Sequence, residues 1–131
     1  MRAYPAVELS RFRRLLQERS LALRASIREA LLRGDDERYA QIAGQVHDVE
    51  EDALADLLID LNLADIDHHI RELRDIEAAL RRLDSGSYGI CKRCGELIGG
   101  ARLEAYPTAQ RCIDCQRLEE HTRLGTAPAS M

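Results

Sequence analysis

Aromatic side chains are almost missing from this chain: its 131 residues include no tryptophan and a single phenylalanine. Proline is scarce as well, with three in all. A thick globular core is hard to fill without aromatic bulk. The wealth of Leu, Ile, Ala and Arg, with 32% of residues charged, points to long helices instead. No apolar run approaches the length that a membrane span needs. The opening MRAYPAVELS has no apolar signal-peptide core, so the expectation is a soluble, cytoplasmic protein. There is no nucleophile elbow, phosphate loop or Ser/His/Asp set of the kind that marks an enzyme. No internal repeat is visible beyond a heptad-like rhythm.

Net charge is also small, −4, but it is strongly segregated. Residues 1–33 balance at +5 (eight Arg, three Glu), and 34–68 at −10 (eleven Asp or Glu against Arg38). Residues 69–90 balance at zero and 91–131 at +1. A uniformly basic nucleic-acid footprint is therefore absent. The arginines of the first segment read as a solvated helix face.

What is present is a cysteine pattern. All four cysteines lie in CKRCGELIGGARLEAYPTAQRCIDC, residues 91–115, spaced C-x2-C-x17-C-x2-C. Two such knuckles can place Cys91, Cys94, Cys112 and Cys115 tetrahedrally around one Zn²⁺. Gly95 suits the left-handed turn that follows Cys94. Four thiolates leave no open position, which describes a structural metal site. Two disulfides would need an oxidising compartment, and a thioredoxin-like pair would explain one knuckle without the other. His121 is close enough to be a spare ligand, but the thiolates already complete the site. His68 and His69 are adjacent, so they point to different sides of a helix and chelate poorly.

Ahead of the cysteines run two apolar stripes. Leu9, Phe12, Leu16, Leu23, Ile27 and Leu31 recur at helical steps. After Gly34-Asp35-Asp36, where either aspartate can cap a new helix, Tyr39, Ile42 and Val46 resume the rhythm. The second stripe is Leu54, Leu57, Leu58, Leu61, Ile66, Ile70, Leu73, Ile76, Leu80 and Leu83, with Gly86 as its C-terminal cap. The fold expected is mainly α: a long antiparallel coiled-coil helical hairpin over 1–86, with arms near 9–46 and 50–84. A small four-cysteine zinc-finger module with a C-terminal helix occupies 87–124, with Leu118 and Leu124 on that helix's apolar side. A disordered tail follows at 125–131. Arms of this length make a rod on the order of 50 Å long, with residues 47–53 at its tip. The tip reads in two ways. Asp48-x-x-Glu51 fits a capping box, and Asp48, Glu50, Glu51 and Asp52 also gather carboxylates where a narrow partner cavity would meet them.

With these features assembled, the chain resembles the DksA/TraR family of bacterial transcription factors. The likeness is carried by GELIGGARLEAYPTAQRCIDC, residues 95–115, around R-L-E-A-x-P-T-A and C-I-D-C, together with the x17 spacing. It covers roughly residues 9–120 and is weakest in the first arm. The family's tip motif, D-x-x-D-x-A, stands here as Asp48-Val49-Glu50-Glu51-Asp52-Ala53; Glu51 keeps the charge but moves it by one methylene. The resemblance implies direct binding to bacterial RNA polymerase by a monomer, with no DNA sequence of its own to read and no membrane partner. It further implies that the hairpin enters the polymerase secondary channel, with Asp48, Glu51 and Ala53 as its active tip. Arg102 and Arg117 are then candidate rim contacts. Some members of the family also use the alarmone ppGpp. Arg102 keeps one basic position of that neighbourhood, but Asp75, Tyr106 and Gln116 stand where others would be, so the expectation is action without ppGpp at this protein's own interface. The rivals are a zinc-ribbon nucleic-acid-binding module, a Gre-like transcript-cleavage factor and a structural adaptor.

Overall fold

The computed structural model describes residues 3–61, 63 and 66–123. Six helices carry them: α1 (Ala6–Leu31), α2 (Glu37–Ala43), α3 (Glu51–Leu58), α4 (Ile66–Ser85), α5 (Gly100–Ala105) and α6 (Ile113–Arg123). Pro5 caps the start of α1 with extended backbone, a place where its fixed φ costs nothing. The first break falls at the Gly34-Asp35-Asp36 interruption, and Asp36 caps α2 by accepting from the Arg38 backbone N–H at 2.8 Å. Helix α4 ends at Gly86, whose φ of +83° is the left-handed position a terminating glycine favours. The Ser87 and Tyr88 N–H groups close back on the Arg82 carbonyl.

α1 and α4 pack antiparallel. At one end Phe12 and Leu16 meet Ala79 and Leu83; at the other, Leu23, Ile27 and Leu31 share a core with Ile66, Leu73 and Ile76. The helical class and this pairing match the sequence reading. The length of the arms does not. The chain folds back at each break, so that α2 packs on α1 and α3 on α4. Leu54, Ala55, Leu58 and Leu61 are thereby buried in the upper core with Ala43 and Val46. At roughly 1.5–3 kcal/mol per fully buried leucine, this folding back gains more apolar burial than a solvated stretch of rod. The second break follows Leu58. Asp60 stands in that stretch, and aspartate favours turns and caps over helix interiors.

Residues 47–53 therefore do not crown a rod. They lie beside the middle of α1 and the C-terminal half of α4, with Glu51 against Ser20 and Arg24, and Asp52 against Arg74 and Arg81. The capping box is also absent. The N-cap of α3 is Glu50, with no side-chain cap bond, because the Glu51 carboxylate has turned to α1.

A lower core joins the helices to the cysteine module. Phe12, Leu16, Leu83, Tyr88, Ile98, Leu103, Cys91 and Cys115 form it, with Tyr4 packed alongside. Tyr4 stands edge-on to Phe12 at 5.4 Å and donates its hydroxyl to the Ile98 carbonyl. Against expectation, Leu118 is 52% exposed, since α6 buries only Cys115. Leu124 and the 125–131 tail lie outside the described residues. Among the described residues, no helix is long and apolar enough to cross a membrane.

Candidate functional site: a four-cysteine metal centre and an acidic segment

The first knuckle begins with a short antiparallel bridge between Ile90 and Leu97. The Cys91 N–H donates to the Glu96 carbonyl at 2.8 Å and the Gly95 N–H to the Cys91 carbonyl at 2.9 Å. Gly95 has a φ of +78°, as its place in the sequence requires. The second knuckle opens α6, where the Gln116 N–H meets the Cys112 carbonyl. The Lys92 N–H reaches the Gln110 carbonyl and ties the two together.

The four sulfurs lie within 4.8 Å of one another, and Cys94 Sγ is 3.9 Å from Cys112 Sγ. Zinc–thiolate bonds of about 2.3 Å place tetrahedral sulfurs about 3.8 Å apart, so the cluster fits one zinc ion without rearrangement. Its electrostatics ask for a cation. Burial pushes the Cys91 thiol up, but backbone N–H groups from Cys94, Cys112 and Arg93 outweigh that and bring it below the ordinary range. The Cys115 thiol is pushed up by its hydrogen bond with Cys112 and by burial. Burial and the bond to Cys91 raise the Cys94 thiol. Four thiolates in contact repel unless a divalent ion lies between them. His121, in the last turn of α6, is not part of the cluster.

The run between the knuckles is scaffold. The buried Tyr88 hydroxyl donates to the Pro107 carbonyl at 2.7 Å, and burial pushes its pKa up to about 12. Leu103 is fully buried. Glu104 pairs with Arg11 at 2.5 Å, and Arg102 Nε donates to the Arg111 carbonyl at 2.9 Å. The motif R-L-E-A-x-P-T-A thus clamps the module onto α1.

Family models and known proteins agree with this centre. Residues 86–121 match the prokaryotic dksA/traR C4-type zinc finger. The RNA polymerase-binding transcription factor DksA of Escherichia coli K12 is 33% identical over 113 residues, covering 86% of this chain and 72% of the relative. The chain belongs to the DksA/TraR family. Haemophilus influenzae DksA is 48% identical over 60 residues, where the match spans only 41% of the relative's length. The solved structure of transcription factor DksA2 from Pseudomonas aeruginosa has a TM-score of 0.60 at 30% identity, covering 90% of this chain and 87% of that one. A C4 finger of this family holds one structural Zn²⁺, here on Cys91, Cys94, Cys112 and Cys115. These relatives are named for transcription, not for catalysis.

Two further regions carry the remaining site residues. A cavity of about 570 Å³ lies between α4, α5 and α6. Its lining includes Arg102 and Arg117 along with Asp75, Tyr106 and Gln116, so residues read separately in the sequence share one surface. Burial raises the Asp75 carboxyl above its usual range, against the pull of Arg71 and Arg82.

The acidic segment is the second region. Asp48 and Ala53 are exposed, whereas Glu51 is held by Ser20 Oγ at 2.9 Å and Arg24 Nη2 at 3.1 Å. Burial raises its carboxyl, but hydrogen bonds from its own N–H, Ser20 and Arg24 outweigh that and hold it below the usual range. Arg24 is only 6% exposed. Sequence reasoning placed the arginines of α1 on solvent faces and so missed it. The one trace is the seven-residue step from Leu16 to Leu23, which passes over Ser20 and leaves a polar gap in the stripe.

Proposed function

We propose that this protein is a cytoplasmic transcription regulator that binds bacterial RNA polymerase directly, as a monomer. The observation that carries the reading is the four-cysteine module clamped to antiparallel helices, in a family whose relatives are named RNA polymerase-binding transcription factors. The hairpin of α1 to α4 enters the secondary channel, with Asp48, Glu51 and Ala53 acting near the active centre. The module sits on the rim through Arg102 and Arg117. Initiation is altered through the stability of promoter complexes, without recognition of a DNA sequence. A cleavage role is disfavoured, because among the described residues only the four cysteines gather as a metal-holding group.

Action without ppGpp at this protein's own interface follows from the α4–α5–α6 cavity. Charge-assisted bonds from Arg or Lys are what hold phosphates. Asp75 repels them, while Tyr106 and Gln116 supply no charge. Arg102 spends its Nε–H on the Arg111 carbonyl, and Arg111 lies 3.9 Å from Glu119.

Retention of the purified protein on immobilised bacterial RNA polymerase tests the proposal, and failure to be retained overturns it. A promoter assay on polymerase stripped of its other alarmone site should then give the same effect with and without ppGpp. Clear synergy would reverse that part of the reading.

A further inference from the structure

Helix α1 gives two of its core-facing positions to polar side chains: Ser20 and Arg24 are each 6% exposed, among apolar residues that are buried as well. Arg24 places four of its five N–H donors. Nε donates to Ser20 Oγ at 3.0 Å, Nη1 to the Val46 carbonyl at 2.6 Å and the Val49 carbonyl at 2.5 Å, and Nη2 faces Glu51 Oε2 at 3.1 Å. Ser20 Oγ donates in turn to the same Glu51 oxygen at 2.9 Å. The two carbonyls lie on either side of His47 and Asp48. This stretch runs between α2 and α3 and is held by isolated turn bonds: the Asp48 N–H reaches the Gln45 carbonyl at 2.9 Å, and the Val46 N–H reaches the Ala43 carbonyl at 3.4 Å. Val46 is fully buried, whereas His47 and Asp48 are exposed. Stability alone does not call for such a network, because apolar residues of similar volume often match a buried ion pair or improve on it. What apolar residues could not do is bind the carbonyls of a turn and fix its shape.

We infer that Arg24 is a positioning residue for Asp48: the two N–H groups of its Nη1 clamp the turn on both sides of that carboxylate and set where it stands. The inference rests on the reading of 47–53 as the polymerase-facing tip, since a fixed position matters only for a group that meets a partner's chemistry. Glu51 serves the same end from behind. Its side chain is 13% exposed and paired, so it keeps Arg24 in place, while Asp48 is exposed. A carboxylate displaced by about 1 Å can lose most of its effect on a reacting centre. Arginine suits this task because its planar fork presents its donors in fixed directions. A lysine ammonium has three donors on one nitrogen, too few for the four acceptors around Arg24. Arg24→Lys therefore keeps the charge opposite Glu51 and loses the geometry.

Arg24→Lys tests this in the whole chain with its zinc bound, alone and combined with Asp48→Asn. In the free variant, hydrogen exchange at the Asp48 amide should speed up about tenfold or more, while the amides of Ile27 and Leu73 stay within about twofold of wild type. On polymerase, affinity should stay within about twofold of wild type, and the effect on promoter-complex lifetime should fall about tenfold or more. Adding Asp48→Asn should then change that effect by no more than about twofold, because residues that act as one unit are not additive. An unchanged Asp48 amide overturns the inference, as does a full Asp48→Asn loss in the Arg24→Lys background. Equal losses of affinity and effect, the mark of a purely structural role, overturn it too. Zinc content and helicity report folding. If Arg24→Lys is not folded, Ser20→Ala, which removes the acceptor of Nε, is read by the same criteria, with smaller shifts in the same directions. If polymerase does not bind the wild-type protein, the proposed function fails, and Arg24 is judged by the Asp48 amide alone.

Discussion

Gly89 has a φ of +82°, and a Cβ added there would lie 2.7 Å from Cδ2 of Tyr4. Both constraints act at once: the left-handed backbone disfavours an L side chain, and the tyrosine ring has no room to withdraw while it packs on Phe12. Gly89→Ala should therefore cost about 1–3 kcal/mol, read as a lowered thermal midpoint with zinc content unchanged. An unchanged midpoint would show that Tyr4 is not held as described. Gly86 and Gly95 were legible in the sequence because each follows a local signal, a helix end or a cysteine. The need for Gly89 comes from a ring far upstream, which no local pattern reveals. Arg24 was hidden for the same reason, since its partners lie beyond a fold-back that periodicity does not record. Its partner Glu51 has a testable pH signature. Because its folded pKa is lowered, it stabilises the protein fully above the ordinary glutamate value of 4.5, and this stability is lost as pH falls through the folded value. Glu51→Gln should cost about 1–2 kcal/mol at pH 7, and the gap to wild type should close in acid. Taking the difference between the two proteins cancels the raised carboxyl of Asp75, which acts in the opposite sense; the carboxyl of Glu77, raised by burial and in part by Glu51 itself, is raised less in the variant. A gap that stays constant down to pH 3 would remove Glu51 from the account.

At the scale of elements, existence was easier to read than extent. The helical stripes, the Asp36 start, the Gly86 stop and both knuckles stand where short-range chemistry put them. The sequence predicts one helix for the second arm, because Leu54 to Leu83 keep an apolar rhythm across the 59–65 stretch. That rhythm fits a continuous rod and a folded-back pair alike, and only long-range packing chooses between them. The same packing alters what zinc removal should do. Residues 87–120 lose their organising ion, yet Cys91, Ile98 and Leu103 also share a core with Phe12, Leu16 and Leu83. Chelation or Cys112→Ser should therefore loosen the first turns of α1 and the last of α4 along with the module, while α2, α3 and the upper core persist. Hydrogen exchange resolves this. Amides near Phe12 and Leu83 should lose protection on metal removal, and those near Ile27 and Leu73 should keep it. Uniform loss, or loss confined to 87–120, would mean that the two cores are not coupled in this way.

For the whole molecule the charge map and the fold act together. The acidic segment lies beside the middle of α1 and against α4, and the metal module is joined to the end of the same helices where Phe12 and Leu83 pack. A stable protein interface needs roughly 800 Å² from each partner, more than a few residues of one turn can supply, so affinity must come mainly from the module and the helix flanks. On the proposed function, exposed Asp48 acts at the polymerase centre while adding little to binding. The structure also removes an ambiguity that the sequence carried. Asp48 fits a capping box on paper, but the N-cap of α3 is Glu50 with no side-chain bond, so Asp48→Asn deletes a charge without deleting a cap. The variant should keep wild-type helicity and bind polymerase within about twofold of wild type, a change of less than 0.5 kcal/mol. Its effect on promoter-complex lifetime should fall by about tenfold or more, because a charge acting in the dry, narrow channel counts for more than one in water. Parallel titrations of binding and of promoter-complex decay measure the two on the same preparation. Equal losses in both would place Asp48 in the binding surface and move the acting residues elsewhere in the segment.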